Sequence, residues 1–457
     1  MSGGHNPKDG KRQWIYAADV KGRFQRIHRL SGIALYAILF ITPWIGIGGH
    51  PALQLDLAAR RLYFFGGVYT PRDTIFLVLL LLGAAFTLFF LTSLYGRLWC
   101  GFACPQTVFL EELIRPIERF WEGSRGRRIQ ADRKGWNPKV VGKKVGKQLS
   151  FLAVAVVLAM ATTSYFTGPV ALWTGQASLA AYGGMAAIAL TLFFDFAWFR
   201  EQWCNMLCPY ARFQAALTDD NSIVIEYDAM RGEPRMKGRR KNKAGKAAAA
   251  KAGACIDCSK CVTVCPQGVD IRNGYQLECI NCARCVDACT SVMDKFQQPS
   301  LVRYTTVAER EGRKRTYLSP RNVAYGALLS AIVTALIVVS TGRQSIEATV
   351  NRLPGSLYQV DDDGWTRNTF MLSISNNDVD QPLAVKVELD GIPGAELMVP
   401  PIEVAPAGQV QVPLVVRAPA SADLPRTAPI EVRVIGPDEA RTVPTTFKSG
   451  SEAALEG

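Results

Sequence analysis

The chain has 457 residues, and at roughly 100–200 residues per domain it should fold as two to four units. Hydrophobic residues make up 49% and charged ones only 20%, with the apolar residues gathered in long blocks, which argues against a purely soluble enzyme. With 39 Gly, 25 Pro and 10% aromatics, collagen-like and largely disordered chains do not fit, and 12 clustered cysteines point to metal rather than to a disulfide scaffold. The net charge of +13 has to be placed along the chain before it can be read as a nucleic-acid signal.

Residues 1–29 are polar and basic, with no small-x-small cleavage site, and read as a cytoplasmic N-terminal segment that precedes a retained first span. Four stretches then lack Asp, Glu, Lys and Arg: 30–49, 74–95, 148–194 and 322–342. About 20 apolar residues carry a helix across the hydrocarbon layer, so the shorter stretches give one span each. The 148–194 block holds two, because Gly168-Pro169 and Gly175-Gln176 interrupt it. Five transmembrane helices are expected, four of them within 30–200. Lys and Arg number 7 in 1–29, 12 in the loop 96–147 and 20 in 201–321, against 3 in 50–73 and none in 171–178. That asymmetry puts the amino terminus inside and, after an odd number of crossings, residues 343–457 outside. Basicity is therefore a topology signal, and no nucleic-acid partner is expected.

Residues 201–321 form the largest inside segment, expected to be a ferredoxin-like domain. Its Lys/Arg/Ala-rich part, 237–251, reads as a solvated linker or helix, with binding to anionic lipid as the alternative. Ahead of it, Ile223 to Tyr227 reads as a strand. After the fifth span, at 322–342, the segments 370–375, 383–389, 410–416 and 431–435 alternate apolar and polar residues between turn signals. Residues 343–457 are thus expected to be an all-β sandwich of immunoglobulin type, without Cys or His and so suited to binding or structure rather than chemistry.

Cys255, Cys258, Cys261 and Cys265-Pro266 make one Cys-x-x-Cys-x-x-Cys-x-x-x-Cys run, and Cys279, Cys282, Cys285 and Cys289 make a second. In two-cluster ferredoxins the fourth cysteine of each run serves the other cluster. One [4Fe-4S] cluster is therefore expected on Cys255, Cys258, Cys261 and Cys289, and another on Cys279, Cys282, Cys285 and Cys265. Thr290 stands where a Pro usually follows the second run. Zinc is the competing metal for Cys₄ sets.

A second motif occurs twice, as Trp99-Cys100-x-x-x-Cys104-Pro105 and Trp203-Cys204-x-x-x-Cys208-Pro209, with Phe109 and Phe213 nine residues after the first Cys. Pro suits the first turn of a helix, so Cys104 and Cys208 are expected at N-caps, where the dipole favours thiolate. Cys100, Cys104, Cys204 and Cys208 are the candidate catalytic, metal-handling cysteines; packing within membrane helices is the alternative. Met206 is read as packing, or as a thioether ligand. Asp195 is read as a snorkelling carboxylate at a helix end, or as a proton relay. His5, His28 and His50 leave no paired mid-span ligands for a membrane haem.

This combination of five spans, paired Cys-x-x-x-Cys-Pro sites, a two-cluster ferredoxin loop and an outer β domain resembles the FixG/RdxA/CcoG family of cytochrome oxidase accessory proteins. Tyr227-Asp228 and Arg231 to Arg235 resemble the family's segment ahead of the clusters, and Thr290 is the visible departure. The resemblance implies a multi-pass protein of the bacterial inner membrane with a periplasmic immunoglobulin-like domain. It implies a cupric reductase, taking copper as substrate during assembly of a cbb-type cytochrome c oxidase. Copper chaperones, oxidase assembly factors and an unidentified electron donor would be its partners. Soft thiolates favour Cu(I), which agrees with that chemistry. The competing functions are a quinol-oxidising membrane ferredoxin relay and a non-catalytic assembly scaffold.

Overall fold

The computed structural model describes residues 14–47, 50–70, 73–135, 137–235, 253–341, 346–353, 357–378, 381–406, 408–419, 424–437 and 439–449. The expected basic linker 237–251 lies outside the described residues. The chain divides into two compact units, Met1–Leu336 and Ile337–Gly457.

Five helices in the described residues are long and apolar enough to cross a membrane: Arg23–Trp44, Thr74–Tyr95, Pro138–Thr167, Leu179–Phe199 and Pro320–Thr341. They expose large apolar side chains such as Ile33, Leu81, Leu190 and Val338, all above 60% accessible, as suits contact with lipid tails rather than water. Local signals fix their ends. Asn137 caps the third by accepting from the Lys139 amide at 3.2 Å, with Pro138 in the first turn, and Gly168 at φ +78° stops it. Ser178 caps the fourth through the Ala181 amide.

Two of these helices start well before the charge-free stretches. The first begins at Arg23 rather than at 30, and the third at Pro138 rather than at 148. Absence of charge marks where a helix meets hydrocarbon, whereas the helix itself runs on through residues that Lys and Arg do not disfavour. Between the first and second, the strands Leu53–Asp56, Arg61–Phe64 and Gly67–Tyr69 form an antiparallel sheet that periodicity did not reveal.

In the cysteine-rich region, Val224–Tyr227 pairs antiparallel with Val302–Thr305, closing a strand on each side of the ligand loops. Ile225, Met293, Leu301 and Val302 are at most 2% exposed beneath them.

The second unit is a sandwich of two antiparallel sheets. One runs in the order Glu396–Met398, Gln409–Ala418, Thr366–Asn376, Ile346–Arg352, with Gln359–Val360 also paired to Thr366–Asn376. The other runs Ile402–Val404, Leu383–Asp390, Thr427–Ile435, Ala440–Lys448. Phe370, Leu372 and Ile374 from the first sheet and Val432, Val434 and Phe447 from the second are fully buried between them. This alternation was readable in four of the strands. Ile346–Arg352 and Ala440–Lys448 were not expected, because edge strands bury fewer of their residues.

Candidate redox site

The two ligand runs fold alike. Asp257 and Ser259 flank Cys258, Asn281 and Ala283 flank Cys282, and all four residues are left-handed at φ +54 to +56°. Such conformations are uncommon for residues with a Cβ, and here they turn the backbone so that successive thiols converge. A cavity lined by Cys255, Cys258, Cys261 and Cys289 takes three cysteines from the first run and the last of the second. A second cavity is lined by Cys279, Cys282, Cys285 and Cys265, and by Cys261 as well, which the two cavities share. The Val269 amide donates to Cys265 Sγ at 3.3 Å. Burial pushes the Cys261 and Cys279 thiols up to about 12 and raises Cys265, Cys282 and Cys285 as well. Thiols so buried ionise only against a cationic partner, so two cysteine pockets, the second of them enclosed, fit a pair of iron–sulfur clusters.

The Cys-x-x-x-Cys-Pro motifs also fold as a structural repeat. Gly96 at φ +61° ends the second long helix three residues before Trp99, and Arg200 at φ +53° ends the fourth three residues before Trp203. The Cys104 amide then donates to Trp99 O at 2.9 Å and the Cys208 amide to Trp203 O at 3.0 Å. Cys104 and Cys208 are N-caps with Pro next, as the spacing predicts. Cys100, Cys104, Cys204 and Cys208 all line one cavity of about 740 Å³. The expected thiolate bias at Cys104 is overridden, because burial raises its thiol more than the Thr107 and Gln106 amides lower it. Cys100 is pushed by burial to about 12 although Gln214 Nε2 donates to its Sγ at 3.1 Å.

Met206 lines this cavity and is 46% exposed. Asp195 does not snorkel. It is 3% exposed, and both its carboxylate oxygens accept from Gln106 Nε2, at 3.0 and 2.8 Å. Sequence reasoning missed Gln106, Gln202, Gln214, Arg97 and Tyr210 on the cavity wall. Gln106, two residues beyond Cys104, was the available signal. His28, inside the first long helix, hydrogen-bonds Cys282 O at 2.8 Å and stacks on Phe102 at 4.2 Å.

A buried ionic network braces these parts. Glu118 accepts from Arg200 at 2.6 Å and Arg128 at 2.8 Å, and Glu111 pairs with Arg115 at 2.7 Å and with Arg284. Arg200 also lies over the Trp14 ring at 4.8 Å. For both glutamates burial would raise the carboxyl, and the arginines more than offset it, holding each below the usual range.

Residues 199–307 match the family profile described as a 4Fe-4S dicluster domain, and residues 76–122 match a 4Fe-4S binding domain profile. Residues 336–450 match the profile of the IG-like fold at the C-terminal of FixG. The nitrogen fixation protein FixG of Rhizobium meliloti (strain 1021) is 33% identical over 431 residues, covering 85% of this chain and 81% of that protein. The chain belongs to the FixG/RdxA family. Two further relatives come from Cereibacter sphaeroides. Protein RdxB is 39% identical over 386 residues, 80% of each chain, and protein RdxA is 32% identical over 381 residues, 79% of each. As a FixG/RdxA protein with several exposed apolar helices, it is an iron–sulfur redox protein of a membrane.

Proposed function

We propose that this FixG/RdxA protein reduces Cu(II) to Cu(I) in the four-cysteine cavity, for assembly of a cbb-type cytochrome c oxidase. It does so in the bacterial inner membrane, with the amino terminus and cysteine sites inside and the β sandwich outside. One observation carries the reading: four cysteines from motifs about a hundred residues apart line one cavity, and all eight remaining cysteines line two others. Soft thiolates with Met206 alongside favour Cu(I) over Cu(II) and so raise the potential of the bound couple. The clusters, when bound on Cys255, Cys258, Cys261, Cys289 and on Cys265, Cys279, Cys282, Cys285, supply one-electron reducing equivalents. Within the chain, Gln214 orients Cys100, Gln106 and Asp195 hold the turn after Cys104, and the Glu118 network fixes Arg200 ahead of Cys204. Product Cu(I) passes to an inside copper chaperone.

The quinol relay has less support. An apolar cleft of about 300 Å³ lies between Tyr36, Phe40, Leu113 and Val157, but the Tyr36 hydroxyl already donates to Val108 O and Asp195 is committed to Gln106.

Changing Cys104 and Cys208 together to Ser tests the proposal. Iron content and cluster spectra should stay at wild-type levels while copper binding and Cu(II) reduction disappear. Reduction at the wild-type rate in that variant would remove the cavity from the reaction.

A further inference from the structure

We infer that the four-cysteine cavity is wired to one iron–sulfur group alone, the one on Cys265, Cys279, Cys282 and Cys285, through a backbone contact that Gly101 makes possible. The inference rests on the copper reading above and adds a direction to it.

Gly101 follows Cys100 and is buried within the short helix Leu98–Phe102. A Cβ built there would lie 2.7 Å from Ile280 O, 3.1 Å from the Asn281 carbonyl carbon and 3.1 Å from Cys282 Cα. Real Cβ atoms do not approach backbone that closely, so only glycine lets the two loops touch. Gly96 repeats the arrangement, since a Cβ there would meet Ile223 O at 2.2 Å and Asn281 Nδ2 at 3.0 Å. Asn281 Nδ2 in turn donates to Ile223 O at 2.9 Å, and Arg97 donates to Leu277 O. His28 clamps the same place from a third side, hydrogen-bonded to Cys282 O and stacked on Phe102.

The cavity wall agrees with this. Leu277, Glu278 and Ile280, on either side of Cys279, line the copper cavity together with Cys100 and Cys104. The pocket of Cys265, Cys279, Cys282 and Cys285 shares Ile280 with that cavity, whereas the pocket of the other cysteine group, lined by Tyr227, Ile256, Lys260, Arg272, Met293 and Leu301 among others, shares no residue with it. Its Cys258 is exposed. Electrons therefore arrive at the exposed group and leave from the enclosed one. In the step itself Cu(II) gains one electron and becomes Cu(I), a reduced iron–sulfur group on the four thiolates around Cys282 loses that electron, and no covalent bond need break.

Gly101 is a positioning residue, and its backbone is helical, so alanine changes spacing without a disfavoured φ. The test uses the full chain, anaerobically purified and reduced with dithionite. Gly101→Ala should keep wild-type iron content, cluster spectra and copper stoichiometry. Electron transfer to Cu(II) should slow severalfold, because transfer between separated groups weakens with each added ångström while binding at either site is unchanged. Asn281→Gly, which keeps the left-handed backbone and removes the anchor to Ile223, should slow it in the same direction and covers the case in which Gly101→Ala does not fold.

A readout without turnover uses Co(II) in the cysteine cavity of the wild-type protein. Its unpaired electrons should shorten the spin relaxation of the cluster lost in Cys265→Ser and leave the other unchanged. Wild-type transfer rates in both variants, or relaxation enhancement confined to the Cys258 group, would overturn the wiring. Failure of the cavity to bind Co(II) or copper at all would instead remove the copper site itself, and the wiring with it.

Discussion

Replacing Glu118 by Gln removes the anion on which two buried guanidinium groups converge. Arg200 and Arg128 approach its carboxylate at 2.6 and 2.8 Å, and the three side chains are 1%, 3% and 3% exposed. Gln keeps the shape and one acceptor oxygen but leaves the arginines short of a counter-charge. Glu201 Oε2 stands 3.8 Å from Arg200 Nε and compensates in part. Breaking such a buried pair from one side costs about 3–5 kcal/mol, which is roughly a 100- to 4,000-fold shift in the folded ratio. The loss should fall on the unit 1–336 and leave the sandwich 337–457 unchanged, because the two are separate compact units. Urea unfolding in mild detergent, with proteolysis to follow each unit, measures both.

The acid limb gives a second check. The arginines hold Glu118 below the ordinary carboxyl range, so its contribution is present above the unfolded-state value of about 4.3 and is lost as pH falls through the depressed folded value. The gap between wild type and Glu118→Gln should therefore be full at pH 7 and narrow only below about pH 4. Removing Glu388 from its exposed pair with Lys386 should leave unfolding where it was. A Glu118→Gln protein within 1 kcal/mol of wild type at pH 7 would refute the argument that the network is held by charge.

Cys265→Ser should disturb the iron–sulfur group on Cys279, Cys282 and Cys285 more than the one in its own run, because Cys265 lines the cavity of the other run. Iron analysis and low-temperature spectra decide it, with about eight iron atoms expected in the wild type; loss confined to the Cys255 group would reverse the ligand sets. A reporter fused after residue 457 should be active only if it works in the periplasm, since Lys and Arg accumulate ahead of the fifth long helix. Cytoplasmic reporter activity would contradict the five-span topology.

What the sequence made legible was whatever repeats at short range. Cysteine spacing gave the ligand runs, Pro after Cys gave the N-caps, and alternation at 370–375 and 431–435 gave the sandwich strands. The convergence of Cys100, Cys104, Cys204 and Cys208 could be stated as a hypothesis, because both motifs follow long helices ending on one side. Buried charge was not legible. Arg97, Arg115, Arg128, Arg200 and Arg284 are each at most 4% exposed, yet along the chain they look like any other loop arginine. Their partners lie far away in sequence, as with Arg284 and Glu111, so no local pattern distinguishes a desolvated arginine from a solvated one. Asp195 was misread for the same reason, its partner Gln106 being on another helix. The pairing of Val224–Tyr227 with Val302–Thr305 likewise spans the whole ligand region.

The two copies of the Cys-x-x-x-Cys-Pro turn share their closing hydrogen bond and Cys-Pro cap and are unlike in their neighbours. Gly101 and Phe102 of the first are pressed against the Ile280 to Cys282 backbone and the His28 ring. The corresponding Asn205 lines the cavity, and Met206 and Leu207 are 46% and 57% exposed. A duplicated element has thus divided into an anchored half and an unencumbered half. A substitution at Gly101 therefore alters the spacing between two cysteine sites, whereas Asn205 and Met206 line the cavity alone.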